Sequence, residues 1–109
     1  MGILEIIMCK EIWIGLFHVK PNSGNNILEG AKGAHVNILS PATDVGEFKE
    51  IIKKDLQKID FRIIDIEDPE PFKARQKKFI VDQYLIDLAE EAEKTGKSVF
   101  GKFHSYEEE

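Results

Sequence analysis

Three histidines are the side chains of this chain best suited to proton transfer or metal binding. They are His18, His35 and His104, and the chain also contains a single cysteine, Cys9. Imidazole titrates near neutral pH and is a common ligand of zinc. However, no histidine belongs to a metal-binding pattern such as His-Glu-x-x-His. The spacing therefore predicts neither a metal site nor a bound cofactor.

A compact group of acids lies in the second half of the chain, at Asp65, Glu67, Asp68 and Glu70. A histidine next to a carboxylate is the usual arrangement of a general base and the group that orients it. His104 with Glu67 or Asp68 is therefore a weak catalytic candidate. Without a nearby histidine, the same acids form a negatively charged surface for a basic protein. The sequence leaves both interpretations open.

A second candidate surface surrounds the segment 21–33, which shows no helix or strand pattern. Connections of this length in small domains are often functional. Asn25 and Asn26 lie within the segment, and His18 and His35 lie beyond its two ends. We expect these four side chains to contribute to binding. The two histidines are interpreted either as a pH-sensitive pair or as imidazoles satisfied by backbone and water.

The cysteine content and the first residues bear on the cellular compartment. One cysteine excludes an intramolecular disulfide and a multi-cysteine metal cage, and it favours a reducing compartment. Cys9 is expected to be a buried, unreactive thiol. Residues 1–9 lack the basic start and cleavage site of a signal peptide and are too short for a membrane helix. We therefore expect a cytoplasmic protein in which residues 1–9 are flexible or extended.

Length and charge limit the classes of partner. The chain has 109 residues and a net charge of −5, which predicts one domain over 1–109 with a frayed tail at 107–109. A negative protein is poorly suited to bind nucleic acid or an anionic membrane, because both require a basic face. A basic protein partner is compatible with this charge.

Apolar periodicity predicts six elements. They are strands over 10–20, 35–39, 61–66 and 98–106, and helices over 44–59 and 72–95. Asp44 and Glu47 have the spacing of a capping box at the first helix, and Gly96 suits the end of the second. The two prolines within 67–71 predict a loop.

The strand–helix–strand unit over 34–67 fixes the direction of two strands. With the order ββαβαβ, we expect an α+β two-layer sandwich: a four-stranded mixed sheet with both helices on one face. This is similar in general architecture to the ferredoxin-like class. In this layout the last two strands run away from the long loop. His104 and the 65–70 acids are then expected at the end of the sheet opposite His18 and His35.

These observations favour a small acidic protein that acts by protein–protein contact rather than by chemistry. A toxin-neutralising, immunity-type inhibitor is the most specific form of this hypothesis, and a homodimer is compatible with it. The alternative is a small enzyme or ligand-binding domain with its site around His104 and the acidic turn.

Overall fold

An antiparallel sheet is the scaffold of the computed structural model, which describes residues 10–107. Its strands are β1 (Glu11–Pro21), β2 (Gly33–Ala42), β3 (Phe61–Pro71), β4 (Val99–Phe100) and β5 (His104–Tyr106). The helices are α1 (Val45–Lys58), α2 (Phe72–Lys78) and α3 (Gln83–Thr95). None of these helices has both the length and the hydropathy needed to cross a membrane.

β1 is the central strand, and the sheet order is β3-β1-β2-β4, with β5 also pairing β2. Both neighbours of β1 are antiparallel to it, so β2 and β3 share one direction, as the strand–helix–strand unit predicts. β4 and β5 are antiparallel to β2. The α+β class is thus confirmed, whereas the predicted mixed sheet is wrong.

α1 begins at the predicted N-cap. The Asp44 carboxylate accepts a hydrogen bond of 2.8 Å from the backbone N–H of Glu47, which satisfies a donor that has no partner within the helix. The Glu47 carboxylate in turn accepts one from the backbone N–H of Thr43 at 2.8 Å. The apolar stripe of this helix, Phe48, Ile52 and Leu56, is fully buried. The sequence pattern therefore identified this helix correctly.

The helices cover both faces of the sheet. The stripe of α1 packs against Phe17 and Val36, whereas Phe72 of α2 and Ala92 of α3 belong to a cluster with Ile14. Residues separated by an odd number of positions in a strand point to opposite faces, so Phe17 and Ile14 lie on different sides. The predicted two-layer sandwich with helices on one face is therefore wrong, because the sheet lies between two helical layers.

The predicted second helix is interrupted. α2 ends at Lys78, Phe79 is extended with φ −138° and ψ 154°, and α3 begins at Gln83. The predicted end of this helix is confirmed, because Gly96 adopts the left-handed conformation with φ 72° and its N–H bonds to the carbonyl of Ala92. Two helices joined by residues 79–82 thus replace the single predicted helix.

This interruption reverses the last strand. We call the end of the sheet at Glu11 the lower end and the end at Pro21 the upper end. A single helix after β3 would leave the chain at the upper end, whereas two successive helices return it to the lower end. Val99 accordingly pairs with Leu39, and His104 pairs with His35 nearer the upper end. The predicted downward direction of the last strand is wrong.

The boundaries of three strands also differ from the prediction, and β2 extends beyond the predicted 35–39 to Gly33–Ala42. β3 continues through the predicted 67–71 loop, because Pro69 and Pro71 lie on an edge strand, where a missing N–H breaks no ladder. Asp68 has φ +48° at an irregularity in this strand. The predicted strand over 98–106 is divided into β4 and β5, and the backbone N–H of Lys102, between them, bonds to the Tyr84 hydroxyl at 2.5 Å.

The same substitution, isoleucine to alanine, at a buried and at an exposed position tests which apolar residues stabilise this fold. Ile52 is fully buried on α1, whereas Ile80 is fully exposed between α2 and α3. We expect Ile52→Ala to lower the free energy of unfolding by about 2 to 5 kcal/mol, because it leaves a cavity. Ile80→Ala should change it by less than about 0.5 kcal/mol. Urea unfolding followed by circular dichroism measures both, and equal losses would contradict the packing described here.

Candidate functional site

Four of the predicted site residues form one row across the sheet. Asp65 of β3 lies opposite His18 of β1, His18 lies opposite His35 of β2, and His35 lies opposite His104 of β5. Directly opposite residues of antiparallel strands project from the same face. The sequence had predicted that His104 and Asp65 lie at the other end of the sheet, and the register shows that this is wrong.

The row lies at the upper end of the sheet, on the face against which α2 and α3 pack. α2 and α3 pack against Ile14 and Leu39 at the lower end, and none of the three histidines belongs to either apolar cluster. His18 and His35 are half-buried, and His104 is exposed. Glu67 and Tyr106 complete this surface. We call it the histidine face, which comprises His18, His35, Asp65, Glu67, His104 and Tyr106.

His18 and His35 are stacked, with ring centroids 4.5 Å apart and an interplanar angle of 18°. The Tyr106 hydroxyl lies 2.6 Å from Nε2 of His18. Tyr106 therefore extends from β5 across β2 to reach β1. Gly33 of β2 allows this crossing, because a Cβ at this position would lie 2.7 Å from Cζ of Tyr106.

The surroundings of His18 favour the neutral imidazole. Partial burial lowers the pKa of His18 below its ordinary value of 6.5, and the nearby His35 and Lys20 lower it further. Asp65 and Glu67 act in the opposite direction without reversing the shift. A neutral imidazole has one ring nitrogen that accepts a hydrogen bond. Nε2 of His18 is therefore suited to accept the bond from the tyrosine hydroxyl at neutral pH.

The three histidines lie opposite one another on neighbouring strands. Their arrangement nevertheless differs from that of a metal centre. The rings of His18 and His35 face one another, so the nitrogen lone pairs, which lie in the ring planes, do not converge. Within residues 10–107, no group of three histidine, cysteine or acidic side chains is placed to hold a metal ion. Cys9 lies outside the described residues.

The acids of the 65–70 segment have different environments. Glu70 is bonded to both Arg75 and Lys78 of α2, and these bonds, that of Lys78 foremost, lower the pKa of the Glu70 carboxyl. The Arg75 guanidinium also donates to the backbone carbonyl of Asp68 at 3.0 Å. Glu70 therefore anchors α2 to the end of β3. Asp65 and Glu67 are exposed, and their charges act on His18 of the neighbouring strand.

The catalytic pair suggested by the sequence is not formed. His104 lies on β5, beyond β2, whereas Glu67 and Asp68 lie on β3, at the opposite edge of the sheet. Adjacent strands are about 4.8 Å apart, so three strand spacings place these groups on the order of 14 Å from one another. Neither carboxylate can therefore orient the His104 imidazole.

The long loop is tied to the turn between α1 and β3. The amide of Asn25 donates to the carbonyls of Ile59 and Asp60 at 3.0 and 2.8 Å, and its oxygen accepts from the N–H of Ile27. Asn26 is exposed. These contacts give Asn25 a structural role, whereas the predicted binding role of both residues stays a prediction.

Tyr106 is the residue of this site that the sequence interpretation missed. The sequence places it within the predicted strand over 98–106 and gives it no site role. Its position two residues after His104 was a usable signal, because alternate residues of a strand share a face. Nothing in the sequence indicated that the Tyr106 side chain passes over Gly33 and bonds to His18.

Alanine at Gly33 tests the crossing of Tyr106. A Cβ there would lie 2.8 Å from the backbone oxygen of Val19 as well as against the tyrosine ring. We expect Gly33→Ala to cost about 1 to 3 kcal/mol of unfolding free energy through overpacking and to shift the His18 imidazole NMR signals. Gly46→Ala is the matched control, since its Cβ would find its nearest atom 3.4 Å away. A Gly33→Ala protein as stable as the wild type would contradict this contact.

The Glu70 cluster predicts a defined pH dependence of stability. Glu70→Gln should lower the unfolding free energy at pH 7 by about 1 to 2 kcal/mol, because two cations lose their charged acceptor. A carboxyl with a lowered pKa in the folded protein stabilises it above the ordinary value of 4.5, and this contribution is lost as the pH falls through the lowered pKa. The difference between wild type and variant should therefore shrink below pH 4.5.

Urea unfolding at pH 7 and at successively lower pH values measures this difference. Glu50→Gln, at an exposed acid of α1, is the control and should have little effect at any pH. A constant difference between wild type and Glu70→Gln across the acid range would show that the ion pairs do not contribute.

No protein-family model, no curated protein and no solved structure matches this chain. The geometry of the histidine face and the charges beside it are therefore the features that bear on function.

Proposed function

We propose that this protein acts by contact and that the histidine face binds a basic protein partner. The observation that carries the proposal is the single row formed by Asp65, His18, His35 and His104 on one face of the sheet. The two surfaces that the sequence suggested separately, the acids and the first two histidines, are thereby parts of one surface. The proposal retains the cytoplasmic expectation.

The chemistry of this surface suits a protein interface. Planar side chains that are already fixed by their neighbours lose little conformational freedom on binding. His18 is held by the stack with His35 and by the bond to Tyr106. The exposed carboxylates of Asp65 and Glu67 lie beside these rings and offer acceptors to lysine or arginine side chains. The surface thus combines stacked imidazole rings, which are held by their neighbours, with two negatively charged carboxylates beside them.

The overall charge supports the choice of a basic partner. The chain carries a net charge of −5, and opposite charges accelerate the association of two proteins. A toxin-neutralising protein of the immunity type, which covers a basic enzyme, is the most specific form of the proposal. A second copy of the chain is a less suitable partner, because two chains that each carry a net charge of −5 repel one another.

Charge reversal on the histidine face tests the proposal. We expect Asp65→Lys together with Glu67→Lys to weaken binding of the partner at least about tenfold, because attraction becomes repulsion. The control carries the same change of charge at two exposed acids of α3, as Glu90→Lys with Glu93→Lys. It should change the affinity much less.

The partner is isolated with a tagged wild-type protein, identified and purified, and its affinity for each variant is then measured by calorimetry at fixed ionic strength. Circular dichroism verifies that both variants fold, and analytical ultracentrifugation tests self-association. If both double variants bind as tightly as the wild type, or no purified protein binds, the contact function is wrong.

A further inference from the structure

The stacked histidines give the contact surface a proton-binding element. Two imidazoles with ring centroids 4.5 Å apart interact strongly when both are charged, because like charges at this distance repel. Such a pair takes up its protons in two coupled steps. The first proton is bound more readily than the second, and both steps change the charge of the same surface.

We propose that protonation of the His18–His35 pair controls the contact surface, so that a basic partner is bound at neutral pH and released on acidification. This inference rests on the proposed contact function and adds its regulation. The partner is recognised through Asp65 and Glu67, and the protons arrive on the imidazoles beside these carboxylates.

The charges that face the pair determine the direction of the effect. β3 contributes Asp65 and Glu67, and β1 contributes Lys20, all of which act on His18. β5 contributes His104 directly opposite His35, together with Tyr106, and the apolar contacts of α2 and α3 on this face lie around Ile14 and Leu39. Each proton adds one positive charge next to two carboxylates. Two protons offset both of them, and the surface then no longer attracts a basic protein.

The same protons alter the bond to Tyr106. Nε2 of His18 accepts from the tyrosine hydroxyl when the ring carries its only proton on Nδ1. When the ring takes up a second proton, Nε2 becomes a donor. The Tyr106 hydroxyl oxygen can then only accept this hydrogen bond and no longer donates it. When both rings, His18 and His35, are protonated, two cations are stacked face to face. Acidification thus changes both the charge of the histidine face and the hydrogen bond that joins β5 to β1.

The proton pair is tested first in the free protein. Imidazole signals are followed by two-dimensional NMR at constant ionic strength. The pH is varied from about 4.5 to 8.5, roughly the range in which histidines titrate. We expect His18 and His35 to show coupled titrations with two inflections, because their rings are stacked. In His35→Gln, the midpoint of His18 should rise and its curve should become a single step.

The reciprocal variant, His18→Gln, should simplify the curve of His35 in the same way. This second variant keeps the test decisive if His35→Gln does not fold. Independent single-step curves for His18 and His35 in the wild type, unchanged by either substitution, would overturn the inference.

The second arm measures the dissociation constant of the purified partner at pH 7.5 and 5.5. We expect it to rise at least tenfold for the wild type and less than threefold for the double variant His18→Gln, His35→Gln. The control Glu90→Gln with Glu93→Gln, at two exposed acids of α3, should retain most of the response. A partner that binds wild-type protein equally at both pH values overturns the inference and leaves the contact function intact. If no purified protein binds at either pH, the contact function fails, and the inference fails with it even where the titrations are coupled.

Discussion

The pairing of β1 with two antiparallel neighbours is the constraint on which the rest of the structure depends. β1 joins β3 to β2, and it contributes to both apolar clusters through Phe17 on one face and Ile14 on the other. The register of these two pairings brings Asp65 and His35 to the two sides of His18. A slip by one residue would exchange the faces of the strand and remove His18 from the row.

The interruption between α2 and α3 has an equally large effect on the proposed site. Because the chain returns to the lower end before β4 begins, β5 arrives beside the start of β2 and places His104 opposite His35. Tyr106 then crosses Gly33 to bond His18. The ion pairs from Glu70 to Arg75 and Lys78 hold α2 at the end of β3, where this reversal begins. Contacts far from the histidine face thus decide which side chains it contains.

Elements with a strong local signal were predictable. α1 had a capping acid, Asp44, and a regular apolar stripe, and both are present; Gly96 ends α3 as expected. The helix interruption was not predictable, because residues 79–82 fit the helical pattern and only their position in the fold leaves Ile80 fully exposed. The strand character of Pro69 and Pro71 depended on β3 being an edge strand, which local sequence does not show.

The sequence by itself determined the α+β class, the elements with clear periodicity and the residues capable of binding or proton chemistry. It placed the histidines at the ends of strands but could not orient them, since local periodicity carries no information on register between strands. The tertiary structure decided that Asp65, His18, His35 and His104 share one row and that His104 is far from Glu67. The physical reason is that strand direction follows from the number of helices between strands, and register follows from hydrogen bonds and packing across the whole sheet.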